Sequence, residues 1–198
     1  GVDPYLQNLP KEEWPAPGEE KKLISPELYQ SVNPFFIVLF TPLIAVWFFG
    51  WLRKRNKEPS TPSKIGIGMV LAGLSSLMMI AAVMSTNIYE DKSHMLWLIC
   101  TYAIFTMGEL LISPIGLSMV SKLSPPRLTA LMMGAWFLAS AFGEMIAGRL
   151  GTWASIDPRA DGSFDTAAAL LVYADVFQKL MWLGVVSGIV MLLLTPWM

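Results

Sequence analysis

Residues 93–121 read SHMLWLICTYAIFTMGELLISPIGLSMVS. With His94 neutral, Glu109 is the single charge in this run. A bilayer core of about 30 Å is crossed by roughly 20 apolar helical residues, so the stretch is long enough to span it. Its apolar residues occupy every face, unlike those of an amphipathic surface helix. A membrane barrel strand would instead alternate polar and apolar residues over about 10 positions. Neither this run nor Met69 to Val83 does so.

Working outward, four more runs have the same character. Leu28 to Leu52 lies between Glu27 and Arg53, and Ile65 to Tyr89 lies between Lys64 and Glu90. Leu128 to Gly143 extends past Glu144 to Gly148, and Leu180 to Met198 closes the sequence. The pattern predicts an all-α integral membrane fold of five transmembrane helices, at residues 33–52, 65–89, 95–121, 128–149 and 179–198. Residues 28–198 form the helical bundle. Residues 1–27, with five prolines and no apolar run, form an extracytoplasmic loop.

Composition agrees. Of 198 residues, 54% are hydrophobic and 15% charged, against roughly 25% charged in a soluble domain; the mean hydropathy is +0.52. A net charge of −1 and a pI near 5.8 argue against nucleic acid as a partner. One cysteine and one histidine exclude a disulfide framework, a cysteine zinc cluster and an all-histidine metal site. The sequence has no Walker A loop and no His-Glu-x-x-His pair, every Asp falls in a loop, and Ser113 has no histidine at its depth. Neither a metal nor a cofactor is expected, and an enzyme is disfavoured.

Loop charge sets the topology. The segment Arg53 to Lys64 carries five basic residues and one acid, and Lys122 and Arg127 add two more basic groups on the same side. The opposite segments are acidic: residues 1–27, then Glu90 to Lys92, then the charges from Asp157 to Lys179. By the positive-inside rule the basic loops are cytoplasmic, the N-terminus is outside and the C-terminus is inside. An odd number of spans beginning outside, without an initiating methionine, is what a piece of a larger protein would show.

Glu109 stands 14 residues after Met95, about 21 Å along a helix, near mid-membrane. An ionised acid at that depth costs roughly 2.5–3.5 kcal/mol on insertion scales. Either it seals two helices as a neutral hydrogen-bonding group, or it is a functional carboxylate on a substrate, ion or proton path. Four residues on, Ser113-Pro114 removes the donor for the Leu110 carbonyl and breaks or bends the helix beside the acid. Transporters use interrupted helices at their binding sites. Asn33-Pro34 follows Tyr29, Gln30 and Ser31; Asn33 either caps the first span or turns its amide to a cavity. Pro42 implies a second bend there.

Six of the eight tryptophans lie near interfaces, and Trp14 lies in the outer loop. Trp136, eight residues into its span, is too deep for such a belt; it packs in the core or walls a pocket. Glu144 and Arg149 are structural or gating residues near an outer end. Gly184-x-x-x-Gly188 and Ala139-x-x-x-Gly143 permit close helix approach. For His94, Cys100 and Tyr102, packing is the default.

Together these motifs resemble the proton-dependent oligopeptide transporter (POT/PTR) family of the major facilitator superfamily. The likeness rests on Tyr29-Gln-Ser-Val-Asn33-Pro34, Pro59-Ser-Thr-Pro62-Ser-Lys64 and Gly108-Glu109-Leu-Leu-Ile-Ser113-Pro114-Ile-Gly116-Leu-Ser118. Met119-Val-Ser-Lys122-Leu-Ser-Pro125-Pro-Arg127 and Met132-Met-Gly134-Ala-Trp136-Phe-Leu extend it over residues 28–198. The resemblance implies the C-terminal portion of a fold of twelve or more helices, this chain supplying the eighth to twelfth. It implies a symporter importing di- and tripeptides, with protons as coupling ion, in the bacterial inner (plasma) membrane. Glu109 would receive the peptide's amino terminus, Asn33 would line the site and Trp136 would wall a side-chain pocket. Ser113 and Pro114 would shape the helix, and Lys122, Glu144 and Arg149 would serve gating. Glu144 stands where a neutral residue is expected. The first seven helices, with the first helix's proton-coupling motif, lie outside these residues and are the expected partner. The competing expectation is a non-transporting membrane protein that packs on another membrane partner.

Overall fold

The computed structural model describes residues 31–85, 94–152, 154 and 166–197. The outer loop at 1–27, the polar residues Tyr29 and Gln30, and the acidic segments around Glu90 and from Asp157 to Asp165 lie outside them. Among the described residues there is no strand. Five helices are long and apolar enough to cross a membrane: α1 (Val32–Lys54), α2 (Thr61–Ser85), α3 (Met95–Leu123), α4 (Thr129–Thr152) and α5 (Thr166–Leu194).

Helix α1 is not uniform. Residues Val32–Thr41 are α-helical, Pro42–Phe48 widen into a π-helix, and Phe49–Lys54 return to α. Pro42 has no N–H for the carbonyl four residues back, and a wider turn accommodates its ring. One residue earlier, Thr41 Oγ1 donates to the Ile37 carbonyl at 2.6 Å. The expected second bend therefore takes the form of a seven-residue π stretch.

The α1–α2 connection is built from residues with distinct duties. The Asn56 N–H bonds to the Arg53 carbonyl at 3.1 Å and the Lys57 N–H to the Leu52 carbonyl at 3.0 Å. These are the two bonds of a Schellman cap, whose turning residue must be left-handed. Asn56 is at φ 52°, which Asn tolerates better than most side chains. Ser60 Oγ then accepts from the Ser63 N–H at 3.4 Å, capping α2, and Pro62 falls in the first turn where no N–H is needed.

Between the caps, Glu58 ties the two helices. It accepts from Arg53 Nε at 2.8 Å and from Lys64 Nζ at 2.5 Å. These two bonds hold its carboxyl down at about 2. The sign follows from that depression: the native state keeps the carboxylate where the unfolded chain takes up a proton. The contribution is complete above the ordinary carboxylate value near 4.3 and fades as pH falls toward the native value. Glu58→Gln is therefore expected to lower the unfolding temperature by a constant, small amount from pH 8 to 5, with the gap closing below about pH 4.3. Thermal unfolding in detergent across that range tests this, and a gap that stays constant down to pH 3 would refute it.

Helix α2 lies between α5 and α3, and α1 packs on α3. The inner contacts are made by glycine. A Cβ on Gly184 would lie 2.6 Å from Gly73 Cα, and one on Gly188 would lie 2.8 Å from the Gly66 carbonyl oxygen. On the other side, a Cβ on Gly108 would meet the Gly68 carbonyl oxygen at 2.6 Å. Lipid is as apolar as Leu, so helices here associate through close van der Waals packing rather than hydrophobic expulsion. The Gly184–Gly188 spacing is used for this, whereas Gly143 has nothing within 4 Å.

Two helix starts differ from expectation by more than a residue. Helix α5 begins at Thr166 rather than near 179, so Asp175 and Lys179 belong to a helix and not to a loop. They bond to each other at 2.6 Å in an i,i+4 pair, which lets the helix carry charge that a search for uncharged runs treats as a stop. Likewise α2 begins at Thr61 rather than 65 because Lys64 is paired to Glu58 within its first turn.

Candidate functional site

Glu109 lies 14 residues from either end of α3, at the midpoint of the helix. His94 starts that helix by accepting from the Leu96 N–H through Nδ1 at 3.2 Å, a capping role not foreseen. Ser124 and the prolines after it end it, Ser124 Oγ donating to the Val120 carbonyl at 2.5 Å.

Asn33 is the second residue of α1 rather than its cap; the cap position is Ser31. Its side chain is free to turn inward, and Asn33 Nδ2 donates to Glu109 Oε2 at 3.1 Å. The two groups are 76 positions apart in sequence. Of the two alternatives for Asn33, the structure has the amide directed away from the backbone.

A third residue completes the cluster. Thr106, one turn before Glu109, is 0% exposed. Its Oγ1 donates to Asn33 Oδ1 at 2.6 Å and lies 2.7 Å from the Tyr102 carbonyl oxygen. Thr106 carries no mark of function in the sequence, since a lone threonine in an apolar helix ordinarily bonds back to its own carbonyls. The signal that was available is its i−3 spacing, which places it on the face of Glu109.

Trp136, on α4, is half-buried, and its ring lies over Gly116. A Cβ there would come 2.2 Å from the indole Cη2. Gly116 follows Glu109 by seven residues, so it sits on the same helix face about 10.5 Å further along. Asn33, Glu109 and Trp136 thus converge on one side of α3.

Ser113 and Pro114 do not interrupt α3, which continues to Leu123. Loss of one donor is tolerated because the remaining backbone bonds of a long helix keep it continuous. Pro114 lines a cavity of about 430 Å³ together with Ser118 and Lys122 of α3, Thr41 of α1, and the Arg53–Glu58–Lys64 cluster. Lys122 is therefore at the basic end of the bundle, 13 residues from the acid. Glu144 and Arg149 are both exposed on α4, and no ion pair joins them among the described residues. Five residues place them about 140° apart around a helix, off a shared face.

The arrangement can present one carboxylate within the membrane to a cation or a proton, with an amide donor on one of its oxygens. Among the described residues no ion pair neutralises Glu109. No group of three or more His, Cys, Asp or Glu that would hold a metal is found among them.

The model of the family described as PTR2, POT family, matches residues 20–159. The chain is 36% identical over 178 residues to the dipeptide and tripeptide permease A of Chromobacterium violaceum, covering 88% of this chain and 34% of that protein. It is 33% identical over 175 residues to the dipeptide and tripeptide permease B of Yersinia enterocolitica, covering 88% of this chain and 35% of that protein. It spans about a third of the length of these curated relatives. A structure reported for substrate recognition in proton dependent oligopeptide transporters is similar with a TM-score of 0.67 at 28% identity, over 88% of this chain and 34% of the other. The crystal structure of tetrameric PepTSo2 is similar with a TM-score of 0.67 at 26% identity, over 92% and 35%.

Proposed function

The chain belongs to the POT family, and from that membership we propose that it supplies the eighth to twelfth helices of a proton-coupled symporter importing di- and tripeptides by alternating access. Such a protein moves solutes across the membrane and is no enzyme. In this reading it lies in the inner membrane, its basic loops cytoplasmic and residue 1 outside, and its partner is the lobe formed by the first seven helices.

The observation that carries the proposal is the Asn33–Glu109 hydrogen bond at the midpoint of α3. A zwitterionic peptide brings an ammonium and a carboxylate, and a carboxylate on the protein attracts only the first. Asn33 lines the site and holds one oxygen of Glu109; the ammonium takes the other. Trp136 walls a pocket for a peptide side chain. Ser113 and Pro114 shape the helix, while Lys122, Glu144 and Arg149 serve opening and closing of the two ends. Protonation of carboxyls would remove the attraction and favour release, which couples peptide to proton.

Uptake of a labelled dipeptide into proteoliposomes carrying the full-length transporter tests this. Accumulation driven by an inward proton gradient is expected. No uptake by correctly folded protein would overturn the peptide assignment and favour an assembly role. A finer prediction concerns the pocket wall. Gly116→Ala would displace the Trp136 ring, at about 1–3 kcal/mol of overpacking. It should change the relative affinities for dipeptides with large and small side chains while leaving that for dialanine within about twofold. Parallel losses for all peptides would rule out the pocket role.

A further inference from the structure

The hydrogen bonds around Asn33 assign a role to a residue that touches neither solvent nor the open oxygen of Glu109. We infer that Thr106 is a positioning residue that fixes which end of the Asn33 amide faces the acid, and thereby which Glu109 oxygen is left for a ligand ammonium. This rests on the reading of Asn33 and Glu109 as the peptide-binding pair.

A primary amide has nearly the same shape in its two flipped orientations, and its partners alone decide between them. An ionised carboxylate only accepts. If the Asn33 carbonyl faced Glu109, two acceptor oxygens would oppose each other within the membrane. The orientation present has Nδ2 donating to Glu109 Oε2 at 3.1 Å and requires a donor for Oδ1. Thr106 Oγ1 is that donor, at 2.6 Å. Its hydroxyl also lies 2.7 Å from the Tyr102 carbonyl oxygen, so one proton is shared between two acceptors. Thr106 is 0% exposed, and water has no access to take its place. The amide is therefore held by a fixed group on the same helix as the acid, three residues away, and the two move as one unit. With Oε2 engaged by Asn33, Oε1 has no hydrogen-bond donor among the described residues and is the oxygen open to an ammonium.

The test is a double-mutant cycle in the full-length transporter, with dialanine binding as the readout. Thr106→Val keeps the shape and removes the hydroxyl; Thr106→Ser keeps the hydroxyl. Thr106→Val is expected to weaken binding about tenfold, the worth of one hydrogen bond at a charged site. Thr106→Ser should stay within about twofold, less than the worth of a single hydrogen bond. In an Asn33→Ala background, Thr106→Val should add nothing, because the group it orients is gone. Wild-type affinity in Thr106→Val, or a full additional loss in the Asn33→Ala background, would overturn the assignment. If the unmodified transporter binds no peptide, it is the proposed function that fails. The same cycle read as unfolding temperature then still decides: coupling between positions 33 and 106 is expected, and strict additivity would refute it.

Discussion

Glu109→Gln in the full-length transporter is expected to abolish proton-driven dipeptide uptake and to weaken dialanine binding by at least about 30-fold, while the protein still folds. Removing one partner of a buried, hydrogen-bonded charge pair costs about 2–5 kcal/mol, each 1.4 kcal/mol being a factor of ten. The fold survives because the replacement amide still offers Asn33 Nδ2 an oxygen in the place of Oε2. Its other terminus is an amide NH2, which meets an ammonium donor to donor. A second arm separates charge recognition from general damage. The unmodified transporter should discriminate strongly against N-acetyl-dialanine, which has no ammonium, and Glu109→Gln should bind both peptides equally poorly. Retention of normal uptake, or a preference for the free amino terminus that survives the substitution, would remove Glu109 from the site.

The second large effect lies in the packing of α2 against α5. Gly184→Ala is expected to destabilise the bundle by about 3 kcal/mol, at the upper end of overpacking costs, and Gly184→Leu should prevent recovery of folded protein. The reason is the identity of the atoms met. A Cβ at 184 would stand 2.6 Å from Gly73 Cα and 2.9 Å from Gly73 N, both backbone, so no side chain can rotate away and the helices must part. Gly50, with nothing within 4 Å, is the internal comparison. Gly50→Ala should be neutral or slightly stabilising, since alanine favours a helix by about 0.8–1 kcal/mol over glycine. Detergent-solubilised yield and unfolding temperature measure both, and equal behaviour at 184 and 50 would show that the close approach contributes nothing.

The sequence carried the membrane class because it depends on composition over a whole span. Five apolar runs such as Met69 to Val83, and the depth of Glu109 counted from Met95, required no tertiary information. The start of α5 was less legible. Asp175 and Lys179 look like loop charges until their mutual bond is seen, and whether two charges four residues apart face each other depends on the helix already existing. Glu58 similarly reads as one acid among basic residues, yet Arg53 and Lys64 are both turned onto it by the caps at Asn56 and Ser60.

What the sequence determined by itself was the solvent of each segment: which residues cross the bilayer, and that an acid stands midway along one of them. Hydropathy is a sum over neighbours in the chain, so it can be read from the chain. Only the tertiary structure decided the partners. Asn33 meets Glu109 across 76 positions, Thr106 orients that contact, and Trp136 covers Gly116. These pairings depend on how closely helices can approach. Helix approach is decided where glycines such as Gly68 and Gly108 meet backbone to backbone, or where Gly116 leaves room for the Trp136 ring, and no local pattern says which of many glycines will find each other.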